Sequence, residues 1–108
     1  MRIYISIPIT GYDLATQQAK ADDIANKLRE LGHEPVSPLP PPEVPKGLTE
    51  KEEYAFYMGE AIRKLLACEA IFLFERWTKS KGCRIEQNAA YVMRLEEFYS
   101  IESVPREL

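Results

Sequence analysis

Two short strand-like runs constrain the fold of this chain more than any other feature. They are Ile3 to Ile7, which reads Ile-Tyr-Ile-Ser-Ile, and Ala70 to Phe74. These runs are rich in β-branched and aromatic residues and contain no charged residues. Such runs are typical of strands buried on both faces of a parallel sheet. The first run ends in Pro8-Ile9-Thr10-Gly11, where proline and glycine interrupt strand pairing. We therefore expect a sheet that helices cover on both faces.

Three amphipathic helices are predicted between the strands. Asp13 or Thr16 caps the first helix, and Gly32 ends it. Thr49 and Glu52 form a capping-box pattern that begins the second helix, which runs to about Ala67. The third extends to about Leu95. The residues predicted to face the core are Ala21, Ile24, Ala25, Leu28 and Leu31 in the first helix, Tyr54, Met58, Ala61, Ile62, Leu65 and Leu66 in the second, and Ile85, Ala89, Val92 and Met93 in the third.

The remaining segments are predicted as edge strands, loops and a tail. Residues 34–37 form a short edge strand, because Pro35 and Pro38 restrict pairing there. Residues 39–48 form a proline-rich loop, which we expect to be stiff and extended. A polar loop follows at residues 75–81, a last strand at residues 98–101, and a polar tail at residues 102–108.

The resulting order, β-α-β-α-β-α-β, predicts a single α/β domain over residues 1–108. We expect a flavodoxin-like or Rossmann-like three-layer sandwich with a parallel sheet of about four strands in the order 2-1-3-4. In such sheets ligands bind beyond the carboxyl ends of the strands, at the switch point between strands one and three. The segments that meet there are residues 7–12, 38–49 and 75–82.

Glu86 lies in the helix that begins at this predicted edge. It follows the turn Ser80-Lys81-Gly82, and its helical neighbours Gly82, Cys83, Ala89 and Ala90 are all small, which leaves room for a ligand. The alternative is a solvated acid near a helix N-terminus, where negative charge is mildly stabilising. The pattern alone favours this alternative, because charged residues at the border of an apolar stripe are common.

Charge and composition exclude several functional classes. A net charge of −3 predicts no nucleic-acid polymer and no membrane surface as partner. Two cysteines without zinc spacing and a single histidine, His33, which we interpret as structural, predict no metal site and no cofactor. The absence of a long apolar run and of a leader sequence favours a cytoplasmic protein with reduced thiols.

An ordered set of short motifs gives the chain a family resemblance. The set comprises Tyr4-Ile5-Ser6-Ile7-Pro8-Ile9-Thr10-Gly11, Gly32-His33-Glu34, Tyr57-Met58, Leu65 to Ala70, Trp77, and Ser80 to Glu86. Together they resemble the nucleoside 2-deoxyribosyltransferase-like superfamily, in particular its small phage and bacterial domains of unknown function, over roughly residues 2 to 100.

The resemblance implies a role for individual residues. Glu86 matches the catalytic nucleophile, and Tyr4 matches a tyrosine that contacts it. Residues Ile7, Pro8, Ile9, Thr10 and Gly11 match a turn that approaches the sugar. Ser80 and Gly82 match the residues that bind the 5′ end of a nucleoside or nucleotide, a role for which helix N-terminal amides are suited. Trp77 either stacks on the base or packs against the proline loop.

The implied reaction is displacement at C1′ of a nucleoside, deoxynucleoside or monophosphate, by transfer to a second base or by hydrolysis. Three departures weaken it: Ile7 replaces a glycine of the resembled group, Ala61 replaces an aspartate that assists the leaving base, and Cys68-Glu69 replaces a Cys-Asp pair, which is a milder change. Glu60, beside Ala61, is expected to point about 100° around the helix. A nucleotide-binding protein without turnover and an interaction module with an occluded pocket therefore remain alternatives. A homo-oligomer is expected, with Tyr91 and Phe98 as exposed aromatic residues suited to its interface.

Overall fold

Strands and helices alternate along the chain as predicted. The computed structural model describes residues 1–107, and Leu108, the last residue of the predicted domain and tail, lies outside them. The elements are β1 (Arg2–Ser6), α1 (Leu14–Glu30), β2 (Glu34–Val36), α2 (Glu50–Leu66), β3 (Ala70–Leu73), a 3-10 turn (Trp77–Lys79), α3 (Lys81–Val92), β4 (Glu96–Phe98) and a second 3-10 turn (Ile101–Ser103).

The sheet has the order β2-β1-β3-β4, and every neighbouring pair is parallel. Tyr4 in β1 is in register with Val36 on one side and with Ile71 on the other. The predicted parallel four-strand sheet and its order are therefore confirmed. β1 is an interior strand, which explains why its residues from Ile3 to Ser6 are all buried.

Helices cover both faces of the sheet, which confirms the three-layer architecture. On one face Ile3 and Ile5 pack against Leu28 and the rest of the buried side of α1. On the other face Tyr4 packs with Leu65 of α2 and with further residues of β3 and α3. Successive residues of a strand point to opposite faces, so β1 contributes to both cores.

Two helix starts are capped as predicted. The Asp13 carboxylate accepts a hydrogen bond from the Thr16 backbone amide at 2.9 Å. In the capping box, the Glu52 amide donates to the Thr49 hydroxyl at 3.2 Å, and the Thr49 amide donates to the Glu52 carboxylate at 3.0 Å. Caps of this type stabilise a helix by about 1 kcal/mol each.

Three of the four residues predicted for the apolar face of α3 do not face the core, whereas the fourth, Ala89, is partly buried against it. Ile85, Val92 and Met93 are 46%, 69% and 56% exposed, whereas the buried residues of this helix are Cys83, Glu86 and Ala90. The helix is therefore rotated relative to the expectation, so that small residues and one carboxylate face the sheet. Small side chains allow the helix to approach β1 closely, and the larger apolar residues remain outside.

Predictions for α2, for the last strand and for Phe98 also differ from the structure. Tyr54 and Leu66 of α2, predicted to face the core, are 37% and 45% exposed. β4 begins at Glu96, two residues before the predicted strand, because Arg94 adopts a left-handed conformation that ends α3 early. Phe98 is buried in the core under α1 and is not an exposed aromatic residue, whereas Tyr91 is exposed.

The predicted polar tail packs against the sheet's amino edge. Val104 is buried, and the Glu107 amide donates to the carbonyl of Leu31 at 2.7 Å. The His33 ring links this tail to the start of β1: its Nδ1 lies 3.1 Å from the amine of Met1, and its Nε2 lies 2.6 Å from the carbonyl of Pro105. In this arrangement His33 connects chain segments, which agrees with its structural interpretation. Within residues 1–107, the helices are too short or too polar to cross a membrane.

Candidate active site

A cavity of about 720 Å³ lies at the carboxyl edge of the sheet, where β1 and β3 end. This volume is in the range of small-molecule sites. Its walls are formed by the β1–α1 loop with the first residue of α1, the proline-rich segment from Pro38 to Pro42, α2, and the end of the 3-10 turn with the start of α3. The lining residues are Ile7, Pro8, Ile9, Thr10, Tyr12 and Leu14; Pro38, Pro41 and Pro42; Tyr54, Tyr57, Met58, Glu60, Ala61 and Lys64; and Lys79, Ser80, Lys81, Gly82, Cys83 and Glu86.

Glu86 lies at the base of this cavity and is only 6% exposed. Two hydroxyl groups of β1 hold its carboxylate. The Tyr4 hydroxyl donates to Oε2 at 2.5 Å, and the Ser6 hydroxyl donates to Oε1 at 2.7 Å. Both donors are fully buried. The carboxylate is therefore fixed from the strand side and faces the cavity.

Burial raises the pKa of Glu86 to about 7, and the hydrogen bonds from Tyr4 and Ser6 offset part of this rise. Burial, together with the nearby carboxylate of Glu86, raises the pKa of Tyr4 well above its usual value. Tyr4 therefore stays protonated and donates its hydrogen bond. Near neutral pH the Glu86 carboxyl exists in both protonation states, which is a common property of catalytic carboxyl groups.

The turn before α3 has the geometry of a helix cap that also lines the cavity. The Ser80 hydroxyl accepts a hydrogen bond from the Cys83 amide at 3.2 Å. A β-carbon added at Gly82 would lie 3.5 Å from the Met58 sulfur and 3.7 Å from the Tyr54 hydroxyl. Ser80 and Gly82 therefore lie together at one rim of the cavity.

The loop after β1 forms the opposite wall. Ile7 lines the cavity, but it is 3% exposed because its side chain packs against Ala21 and Leu39. Ile7 thus attaches the proline loop to the domain and does not plug the cavity. Gly11 does not line the cavity itself. It occupies the turn, with a φ of 85°, between the lining residues Thr10 and Tyr12.

Trp77 is not brought to this cavity. Its ring lies beside Tyr99 with the ring centroids 6.0 Å apart, and it packs on the core between α3 and the sheet. It lines a separate shallow groove on the outer side of α3. Trp77 does not line the main cavity, so it is not positioned to stack on a base there, and its aromatic neighbour is Tyr99.

Several site residues were missed by the sequence analysis. Ser6 follows Tyr4 by two positions, so strand periodicity places both side chains on one face of β1, and this signal was present. Tyr54 and Met58 were assigned to the core, whereas they line the cavity. Ala61 packs against the core, as predicted, and also lines the cavity. Glu60, expected to point away, also lines it, and its carboxylate accepts a hydrogen bond from Arg63 at 2.7 Å. The hydrogen bond from Arg63 lowers the pKa of Glu60.

Over the described part of the chain, no group of three or more histidine, cysteine, aspartate or glutamate side chains is arranged to hold a metal ion. The charged groups at the cavity are instead the buried carboxylate of Glu86 and the side chains of Glu60, Lys64, Lys79 and Lys81, which also line it. The arrangement suits a ligand with a reactive centre that meets Glu86 and with an apolar part on the proline and tyrosine walls.

Comparison with known proteins identifies the family. The sequence profile described as "Domain of unknown function (DUF4406)" matches residues 1–99. The chain belongs to this family. No curated protein matches the sequence significantly. Among solved structures, this DUF4406 protein is similar to the 2-deoxyribosyltransferase of the psychrotolerant bacterium Bacillus psychrosaccharolyticus, with a TM-score of 0.66 and 22% sequence identity. The similarity covers 90% of this chain and 69% of the transferase, and it shows that the two share a fold.

Proposed function

We propose that this protein cleaves the N-glycosidic bond of a nucleoside, a deoxynucleoside or the corresponding monophosphate, with Glu86 as the nucleophile. The observation that carries the proposal is the buried Glu86 carboxylate, which two hydroxyl donors hold at the base of a ligand-sized cavity. A buried carboxylate destabilises a fold unless it is compensated, so its position needs a reason beyond packing. The shared fold with a 2-deoxyribosyltransferase supports the same reaction class.

The reaction proceeds in two displacements. An oxygen of Glu86 attacks C1′ while the bond from C1′ to the base nitrogen breaks, and the base leaves with that electron pair and takes up a proton. The product is a glycosyl ester on Glu86. Water or a second base then attacks C1′ and releases a proton to solvent, the ester bond breaks, and the carboxylate is regenerated. The negative charge of Glu86 also stabilises the oxocarbenium-like transition state.

The remaining proposed contacts follow from the walls of the cavity. The turn from Ile7 to Thr10 contacts the sugar, and Ser80 with Gly82 contacts its 5′ end at the start of α3. The base occupies the apolar part, beside the tyrosines of α2 and the proline loop. Trp77 has no part in this binding mode, because it lies outside the cavity.

The residues available to assist departure of the base support a second candidate function, which is nucleotide binding without turnover. Ala61 lines the cavity where the resemblance implies a carboxylate, and alanine cannot donate a proton. Glu60 beside it is held ionised by Arg63. Such a site would bind the nucleoside in the same pocket but would not accelerate release of the base.

We also propose that the protein acts as a homo-oligomer. The outer side of α3 leaves Ile85, Val92 and Met93 about half or more exposed, together with Tyr91. Apolar side chains concentrated on one helix face are typical of interaction surfaces. Sedimentation of the wild type and of a Val92→Glu variant tests this directly, and a monomeric wild type would contradict it.

The test of the main proposal is release of free base, measured by chromatography with a panel of nucleosides, deoxynucleosides and their 5′-monophosphates. Glu86→Gln is expected to abolish release, whereas Glu30→Gln, at an exposed position on α1, is expected to retain it. Wild-type activity should rise with pH through about 7, because the nucleophile must be ionised. Unchanged release in Glu86→Gln would remove Glu86 from the mechanism.

Thermal stabilisation by the same compounds separates the alternatives. A ligand-dependent increase in melting temperature without any base release would favour the binding function. Neither stabilisation nor release with any member of the panel would leave only a role as an interaction module.

A further inference from the structure

The hydroxyl of Ser6 is the second of the two donors that hold Glu86. We infer that Ser6 is a positioning residue, which holds Oε1 of Glu86 so that the carboxylate presents a fixed edge to the cavity. The inference deepens the proposed function, and only the kinetic part of its test rests on that function. Its basis is the pair of hydrogen bonds, from Tyr4 to Oε2 at 2.5 Å and from Ser6 to Oε1 at 2.7 Å.

One donor alone would leave the carboxylate free to turn. The terminal torsion of a glutamate is broad, so a carboxylate bonded through a single oxygen can rotate about that contact. Tyr4 and Ser6 are two residues apart on the same face of β1, and each binds a different oxygen. The two bonds together fix the plane of the carboxylate relative to the sheet. The nucleophilic lone pairs then point to one place in the cavity.

A structural role alone does not account for a serine at this position. Ser6 is fully buried in an interior strand, where a hydroxyl without a partner is unfavourable. Alanine would fill nearly the same volume without that penalty. The bond to Glu86 satisfies the hydroxyl, so the serine and the carboxylate explain each other.

The electrostatic surroundings of Glu86 make the contribution of Ser6 measurable. Its titratable neighbours are Tyr4 from β1, Tyr54 from α2 and Cys83 from its own helix. The charged side chains that line the surrounding cavity are Glu60, Lys64, Lys79 and Lys81. Against burial, the hydrogen bonds from Tyr4 and Ser6 lower the pKa of Glu86. Removal of the Ser6 hydroxyl should therefore make Glu86 harder to ionise.

The test measures the titration of Glu86 without any substrate. In protein labelled with 13C at the glutamate side-chain carboxyl, the Glu86 signal is assigned by its absence in Glu86→Gln. Ser6→Ala is expected to raise the titration midpoint by about one pH unit, a tenfold change in the acid constant, because a hydrogen bond to a charged group is lost. Ser6→Cys, which keeps a weak donor and guards against a folding defect in the alanine variant, should raise it less.

The control is Ser103→Ala, which removes another serine hydroxyl bond in the 3-10 turn packed against α1. It should leave the midpoint unchanged. An unchanged midpoint in both Ser6 variants would overturn the inference, whether or not the protein has activity. A raised midpoint in a protein that releases no base supports the positioning role and contradicts only the proposed function.

Where base is released, kinetics provide the second readout. The acid limb of the pH–rate profile in Ser6→Ala should move upward with the titration midpoint. Above the midpoint, kcat should still be lower by about tenfold with KM nearly unchanged, because the ionised carboxylate is no longer oriented. Full recovery of kcat at high pH would overturn the orientation part of the inference.

Discussion

Replacement of Glu86 by glutamine should stabilise the protein above pH 7 while it removes the proposed nucleophile. The carboxyl group is buried, and its pKa in the folded protein is raised from 4.5 to about 7. The folded state therefore binds the proton more tightly than the unfolded state does. Stability from this group is fully present below pH 4.5, is lost as the pH rises toward 7, and changes little above that value.

The size of the effect follows from the same shift. A folded-state pKa near 7 against 4.5 in the unfolded chain corresponds to about 3 kcal/mol, since each pH unit is about 1.4 kcal/mol. Glutamine has nearly the same shape and can keep both hydrogen bonds: its carbonyl oxygen accepts from one hydroxyl, and its amide donates to the Ser6 oxygen after the hydroxyl turns. The variant therefore avoids the cost of ionisation without leaving Tyr4 or Ser6 unpaired.

The assay is urea denaturation of the wild type and of Glu86→Gln at a series of pH values from 5 to 8.5. The difference in unfolding free energy between the two proteins should grow by about 2–3 kcal/mol over this range. All other titrating groups are shared, so their contributions cancel in the difference. Glu30→Gln, at an exposed position of α1, is the matched control and should show no such growth. A difference that stays constant with pH would refute the burial of an ionisable Glu86.

Three further predictions concern single side chains. Tyr4→Phe removes the donor to Oε2 and should destabilise the protein by about 1–3 kcal/mol at pH 8 but less at pH 5, in the same urea assay; equal losses would argue against the contact. Gly32→Ala should lower the unfolding free energy by about 2 kcal/mol or more, because φ is 92° and the added β-carbon would meet the Glu107 carbonyl. Gly59→Ala is the comparison: it lies in the middle of α2 with open space around it, and it should raise the unfolding free energy by up to about 1 kcal/mol. Thr49→Ala should cost about 1 kcal/mol through loss of the cap, and an unchanged melting temperature would contradict the observed capping box.

The fold followed from the sequence because its signals are redundant. The two β-branched runs without charged residues identify strands, the capping box identifies the start of the second helix, and Gly32 identifies the end of the first. The rules for connections between strands then leave few topologies for the sheet. The orientation of α3 was not predictable in the same way. Its sequence offers one face with Ile85, Val92 and Met93, and another with Cys83, Glu86 and Ala90. Periodicity favours the larger apolar side chains, whereas close approach to the sheet requires the smaller ones.

The site was predictable to the extent that neighbouring residues share a periodic face. Glu86 was singled out by its small helical neighbours at the predicted sheet edge, whereas its role and its contact with Tyr4 came from the resemblance, and the structure brings the two side chains into contact. Ser6 could have been found from strand alternation, but the strand was treated as uniformly buried. Trp77 could not be placed from sequence, because a short 3-10 turn, rather than a loop, directs its ring toward Tyr99.

The proline residues that line the cavity have a consequence for the ligand binding that we propose. Pro38, Pro41 and Pro42 line the cavity, and Leu39 anchors the same segment in a small core with Ile7. Proline rings have a fixed φ and little side-chain freedom, so this wall has little conformational entropy left to lose when a ligand arrives. For the ligand that we propose, we therefore expect affinity on this side of the cavity to depend mainly on how well the ligand's shape matches the wall.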